Sequence, residues 1–363
     1  MKLLKASTLF ILLTFCSLQA NSQIIWHDAS DLPLLGKACD STSAHYTRLP
    51  ASMKATSRPA VWELGQNSAG LSVRFRTDSP QIYVRWTSTF VNAMNHMAPT
   101  GERGVDMYIQ TAEGWRYAGT GRPVIGQATT EYQLVCNMTP GMRECMLYLS
   151  LYDGISDLQI GVLDGYTLEN PVSSSPSRTR PVVMYGTSIL QGGCATRPGM
   201  ASTNILSRML DREVINLGFS GNAFLDEDMA HYMAYVPNPG AYVLDECPNS
   251  SVEMIEERGE RFFRILRDAH PDTPVIFVEM PIFAHSRFNS VMAETIRKKN
   301  AAQRALYEKL RKSGEKHLYY IKGDKLNGND GEATVDGIHA TDLGMQRYAD
   351  EVLPTLRKAL RGR

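Results

Sequence analysis

Four short segments of this sequence carry side chains suited to nucleophilic chemistry. In Tyr185-Gly186-Thr187-Ser188-Ile189-Leu190-Gln191 an apolar run stops at a glycine, and a serine opens what reads as a helix. Such a serine lies beside the unpaired amides of a helix first turn, which favour developing negative charge. Its commonest other role is an N-cap. The spacing is not the G-x-S-x-G elbow, since Ser188 follows Gly186 by two and Ile189 and Leu190 come next. In Val335-Asp336-Gly337-Ile338-His339, a carboxylate and an imidazole stand three apart around a glycine. The carboxylate can fix one ring nitrogen and leave the other to take a proton. Of the eight histidines, His339 alone has an acidic partner at that spacing and a matching place in the chain. Two further loops offer hydrogen-bond donors: Gly221 in Asn216-Leu217-Gly218-Phe219-Ser220-Gly221-Asn222, and Asn249 behind Pro248 in Asp245-Glu246-Cys247-Pro248-Asn249. Taken singly, each of these reads equally as ordinary turn chemistry.

The elements that must position these residues follow from the hydrophobic periods. After Arg180, continuous apolar runs at 182–185, 214–217, 241–244, 274–279 and 318–321 alternate with helical patterns at 251–269, 290–313 and 340–360. Buried strands alternating with helices predict a doubly wound parallel sheet, and ligands of such sheets gather beyond the carboxyl ends of the strands. Three of the four segments fall at such ends, and the Asp-His segment precedes the last helix. Before residue 170 the period is two, as in Leu71-Ser-Val-Arg-Phe-Arg and Val105-Asp-Met-Tyr-Ile-Gln, with turns at Asp78-Ser-Pro and Thr139-Pro-Gly. That alternation predicts an antiparallel β-sandwich. The expected layout is a leader at 1–22, a sandwich at 23–170, a Pro/Ser linker at 171–180 and an α/β domain at 181–363.

In this order the four segments resemble the SGNH hydrolases, or GDSL-type esterases, through Ser188, Gly221, Asn249 and His339 with Asp336. Thr187 stands where many members carry Asp, and Pro-Asn-Ser where many read Gly-Asn-Asp. Gly104-Val105-Asp106-Met107-Tyr108 is similar to the G-x-D-L-Y signature of a β-sandwich that precedes certain bacterial members. The resemblance implies a flavodoxin-like three-layer α/β/α domain with a five-stranded parallel sheet, preceded by an all-β, jelly-roll-like sandwich. It also implies Ser188 as nucleophile, His339 as base, Asp336 as its orienting carboxylate, and an oxyanion hole from Ser188, Gly221 and Asn249. No metal or other cofactor is called for. The substrate class it implies is a small-molecule or polysaccharide ester, with acetyl groups on carbohydrate foremost. A lipid or lysophospholipid ester is the alternative within enzymes, and a catalytically silent carbohydrate-binding protein the alternative outside them. His96, His285 and Arg287 are candidates for the cleft rim. Trp86, Trp115 and Tyr117 on the sandwich are candidates for sugar stacking or for core.

Composition narrows the classes further. The 363 residues carry 38 basic and 38 acidic side chains, scattered along the chain, so no polycationic groove for nucleic acid is expected. Lys2, Lys5, the apolar stretch 9–15 and Ala20-Asn21-Ser22 read as an export signal, and lipid anchoring through Cys16 is disfavoured by Phe15. The expected destination is the periplasm or the cell surface, with no integral membrane segment. Cleavage would leave 36 basic against 38 acidic residues and five cysteines. Cys136 with Cys145, and Cys194 with Cys247, are the pairs that oxidation would allow, with free thiols as the alternative. Oligomeric state is not encoded in any pattern found here.

Overall fold

The computed structural model describes residues 23–361, so the expected leader lies outside the described residues. The first half carries β1 (Ile24–Asp28), β2 (Leu34–Leu35), α1 (Pro59–Gly65), β3 (Ser72–Thr77), β4 (Ile82–Ser88) and α2 (Pro99–Glu102). It continues with β5 (Val105–Thr111), β6 (Gly114–Gly121), β7 (Thr129–Val135), β8 (Arg143–Tyr148), β9 (Ile155–Leu163) and β10 (Leu168–Glu169). One sheet runs β1-β9-β4-β7 and the other β10-β3-β8-β5-β6, with β2 added to β3. All these pairings are antiparallel. Alternate residues of the two sheets, among them Val73, Phe75, Val84, Trp86, Met107, Leu147 and Ile160, form the core between them.

The second half holds β11 (Ser177–Gly186), α3 (Ser188–Gln191), α4 (Ser202–Leu210), β12 (Arg212–Gly218), α5 (Glu227–Ala234) and β13 (Ala241–Asp245). After these come α6 (Val252–Ala269), β14 (Val275–Val278), α7 (Ser290–Lys312), β15 (Leu318–Ile321) and α8 (Asp342–Arg361). The sheet is wholly parallel in the order β12-β11-β13-β14-β15, so the topology switches between β11 and β13. Helix α4 packs on α8, α5 on α6, and α6 on α7, completing the expected three layers. Strand β11 opens at Ser177, inside the stretch read as linker, because Ser177 already pairs with Arg212. The short helices α1 and α2 had no counterpart in the period-two reading, since each is too brief to show a helical stripe.

The halves do not have fully separate cores. Leu49, Met53, Val61, Ala69, Met97, Leu151 and Tyr152 of the first half belong to the same apolar cluster as the parallel strands. Arg48 is buried there and donates to the carbonyls of Leu64, Asn67, Asn216 and Gly218. Burial lowers it to about 10, yet its N–H donors are met by carbonyls across the domain boundary. The outer face of the second sheet is docked as well. Asp106, with no exposed surface, accepts from the Gly199 amide at 2.7 Å and from Arg197 Nη1 at 2.5 Å, while Arg197 also donates to Tyr108 Oη at 2.6 Å. Burial pushes the Asp106 carboxyl above its ordinary value although Arg197 and the amide pull the other way. The G-x-D-M-Y signature is thus a second joint between the two halves.

The structure decides two sets of alternatives that the sequence leaves open. Trp86 is fully buried with its indole N–H on the Arg103 carbonyl, and Trp115 is buried beneath the Arg74 guanidinium. Trp86 lies in the core between the sheets, Trp115 in a separate cluster with Tyr108, Met146 and Tyr148 on the outer face of the second sheet, and Tyr117 is exposed but covered by the Arg197 guanidinium, 4.2 Å from its ring centre. All five described cysteines are free, including both candidate pairs. Cys145 faces the sandwich core while Cys136 is exposed, and the buried Cys247 donates to Asn300 Oδ1.

Candidate active site

Thr187 caps α3, its hydroxyl accepting from the Ile189 amide at 3.3 Å. This frees Ser188, the next residue, from the capping role. Threonine at this position therefore supplies the helix cap. Ser188 Oγ lies 3.0 Å from His339 Nε2, and His339 Nδ1 lies 2.7 Å from Asp336 Oδ2. The other Asp336 oxygen accepts from the Ile338 and His339 amides at 2.9 and 2.8 Å. Burial opposes the Asp336 charge, but the His339 ring and these two amides outweigh it and hold the carboxyl far below its ordinary value. Gly337 has φ +91, a conformation that L side chains rarely adopt, and a Cβ there would stand 2.8 Å from His285 Nδ1. That turn lets carboxylate and imidazole meet across three residues.

The two donor loops are tied to each other and to Ser188. Asn249 Oδ1 accepts from the Ala223 amide at 3.3 Å, and Ser250 Oγ donates to the Ala223 carbonyl at 2.9 Å. The Asn249 side-chain NH2 then has no acceptor among the described residues. Gly221 is exposed with φ +67, where a side chain would be strained. Gln191 links three elements: it ends α3, accepts from the Ser220 amide at 3.0 Å and donates to the Leu151 carbonyl at 3.0 Å. Tyr152, also from the first half, donates to the Ser188 carbonyl at 3.0 Å. Neither Gln191 nor Tyr152 gave any signal in the sequence, since a lone polar residue marks no pattern.

The candidate rim residues divide. His96 is brought to the site, its ring centre 5.2 Å from that of His339. His285 lies beside Gly337 and stacks on Phe283 at 6.0 Å. Arg287 is exposed on the turn Ala284–Arg287, and its side chain makes no hydrogen bond or ion pair among the described residues. His96 sits on a wall built by the loop after β4. There Val91, β-branched, holds φ +56, a costly conformation for such a residue. Buried Asp153 fixes it, accepting from the Phe90 and Asn92 amides at 2.9 Å each. Beyond this wall a cavity of about 730 Å³ reaches Ser220 and Asn222, which flank Gly221. Its lining includes Trp62, Phe90, Met94 and Tyr152.

At the carboxyl end of β13, Asp245 and Glu246 are both buried. Tyr348 donates to Asp245 at 2.8 Å and Gln303 to Glu246 at 2.9 Å. Burial raises Asp245 well above the ordinary value and Glu246 from 4.5 to about 7. A carboxyl raised on folding binds its proton more tightly in the native state. Stability is therefore greatest below the unfolded value and falls as pH climbs through about 7. The loss from Glu246 is of order 3 kcal/mol. Thermal melts between pH 5 and 8 are expected to show a falling Tm in the parent and a shallower slope in Glu246→Gln. Equal slopes would mean that Glu246 is charged in the native state throughout.

The GDSL-like lipase/acylhydrolase family matches residues 179–357, and the N-terminal domain of the SGNH-hydrolase-type esterases matches residues 24–168. A candidate GDSL-like lipase from Bacteroides ovatus is 37% identical with a TM-score of 0.88, covering 93% of this chain and 98% of its own. A salicylyl-acyltransferase from a tetracycline biosynthetic pathway shares the fold at 18% identity and TM-score 0.73, covering 92% and 97%. A family two carbohydrate esterase from Cellvibrio japonicus does so at 14% and 0.60, covering 93% and 98%. No curated protein matches the sequence.

Proposed function

Since this chain belongs to the GDSL-like lipase/acylhydrolase family, we propose that it is an exported serine esterase that removes small acyl groups, acetyl above all, from carbohydrate. The observation that carries the reading is the continuous relay from Ser188 Oγ through His339 to Asp336, at 3.0 and 2.7 Å. His339 Nε2 takes the serine proton as Oγ attacks the ester carbonyl, and Asp336 stabilises the imidazolium. The oxygen of the tetrahedral intermediate takes hydrogen bonds from the Ser188 and Gly221 amides and the Asn249 side chain. His339 then gives its proton to the leaving alkoxide oxygen, and water repeats the sequence on the acyl-enzyme.

The carbohydrate part of the reading rests on the cavity beside Gly221. Trp62 and Phe90 offer flat apolar faces, and Asn92 and Asn222 offer amide groups, a combination that suits a ring with an apolar face and a hydroxyl edge. The same apolar surface is what a longer acyl chain would use, so acyl length separates the two substrate classes. We expect kcat/KM for p-nitrophenyl acetate to exceed that for the octanoate by at least about tenfold, a difference of about 1.4 kcal/mol. Equal or faster octanoate cleavage would replace the carbohydrate reading with a lipid one. On an acetylated polysaccharide, Trp62→Ala is expected to raise KM about tenfold more than on p-nitrophenyl acetate.

A further inference from the structure

The base of the relay has two neighbours that ester hydrolysis does not use. One ring nitrogen of His96, the sulfur of Cys194 and one ring nitrogen of His339 lie within 4.8 Å of one another. They come from three separate places: the sandwich loop after β4, the segment after α3 and the loop before α8. The Cys194 amide donates to the Ala340 carbonyl at 2.9 Å, which fixes its backbone beside His339. Each imidazole has an oxygen at Nδ1, Asp336 Oδ2 at 2.7 Å for His339 and Asn95 Oδ1 at 3.2 Å for His96. With Nδ1–H donated to oxygen, Nε2 carries the lone pair in both rings. This is the outer-shell arrangement that metal-binding histidines adopt.

We propose that His96, Cys194 and His339 form a binding site for a thiophilic divalent cation of the zinc class, and that its occupancy switches the esterase off. Two imidazoles and a thiolate suit zinc, and hard cations such as Mg²⁺ or Ca²⁺ prefer oxygen donors. Tetrahedral zinc with bonds of about 2.0–2.3 Å holds its donors roughly 3.3–3.8 Å apart, so side-chain rotations of about 1 Å close this group around an ion. Water fills the fourth position. Binding forms one Zn–S and two Zn–N bonds, the thiol proton leaves to solvent, and the contact between Ser188 Oγ and His339 Nε2 breaks. No electron is transferred. With its Nε2 lone pair held by the ion, His339 cannot take the serine proton. The switching rests on the reading of His339 as base, whereas the binding does not.

The test uses the full chain freed of metal and titrated with ZnCl2 or CoCl2. One Co²⁺ per chain is expected, with a thiolate-to-cobalt charge-transfer band, and p-nitrophenyl acetate hydrolysis is expected to fall with Zn²⁺ occupancy and return with EDTA. Cys194→Ser is expected to keep metal-free activity, lose the band and need at least about tenfold more Zn²⁺ for half inhibition. His96→Gln is expected to shift the Zn²⁺ titration in the same direction and serves if the serine variant folds poorly. Equal Zn²⁺ sensitivity in parent and both variants, or Co²⁺ bound without the thiolate band, would overturn the site. A chain that hydrolyses no ester but still gives the Cys194-dependent band would sink the esterase reading and leave the metal site standing.

Discussion

Alanine at Ser188 is expected to lower kcat/KM for p-nitrophenyl acetate by about 10⁴- to 10⁶-fold, with the Tm left within a degree or two of the parent. The size follows from the relay, because Oγ is the only atom of the side chain that His339 Nε2 meets, at 3.0 Å. What survives is the contribution of the oxyanion donors and of substrate binding, which are untouched by the change. His339→Ala is expected to cost about as much, since nucleophile and base act as a unit and their losses do not add. Pre-steady-state measurement of p-nitrophenol release with substrate in excess over enzyme separates the outcomes. A burst in the parent that disappears in Ser188→Ala places the acyl group on Ser188, and a burst retained in the variant would place it elsewhere.

The second large effect is expected far from the relay. Asp106→Asn keeps an acceptor for the Gly199 amide but turns an NH2 group toward the Arg197 guanidinium, now a cation without its carboxylate. Asp106 has no exposed surface and the Arg197 side chain only 21%, so little water is available to screen the loss. Breaking a buried pair from one side costs about 3–5 kcal/mol, and the partial exposure of Arg197 places this case near 3 kcal/mol. Urea unfolding at constant pH measures it. A loss below about 1 kcal/mol would mean that this joint is held by the packing of Tyr108 and Tyr148 against Arg208 of the second half, 4.1 and 5.4 Å from their ring centres, with the ion pair adding little. A drop in kcat is expected too, because the loosened segment runs back to Cys194, whose amide holds Ala340 next to His339.

What the sequence discloses and what it hides divide along the range of the interactions. The five parallel strands are legible because each is a short apolar run bounded by polar or glycine residues, and α6 because Ile255, Phe262, Phe263 and Leu266 repeat along one face. Ser188, Asp336 and His339 are legible because the chemistry leaves local marks: a glycine before the serine, and an acid three residues before the base. Arg48 leaves none. Its partners Asn216 and Gly218 are 168 and 170 residues away, and no neighbour in sequence signals four carbonyls waiting for a guanidinium. Asp153, Tyr152 and Gln191 are hidden for the same reason. Trp86 and Trp115 are ambiguous in sequence because an aromatic on a strand points to one face or the other: Trp86 is dry through the packing of the two sheets, Trp115 through what covers the outer face of its sheet.

The common core of the two halves bears on how such a protein can be altered. A catalytic half cut out at residue 177 would present water with the cavity left by Leu49, Met53, Val61 and Tyr152, and with backbone carbonyls at Asn216 and Gly218 robbed of Arg48. Grafting a foreign sandwich in front of it would repair neither. For protein engineering, the unit to be moved or recombined is therefore the pair of halves together.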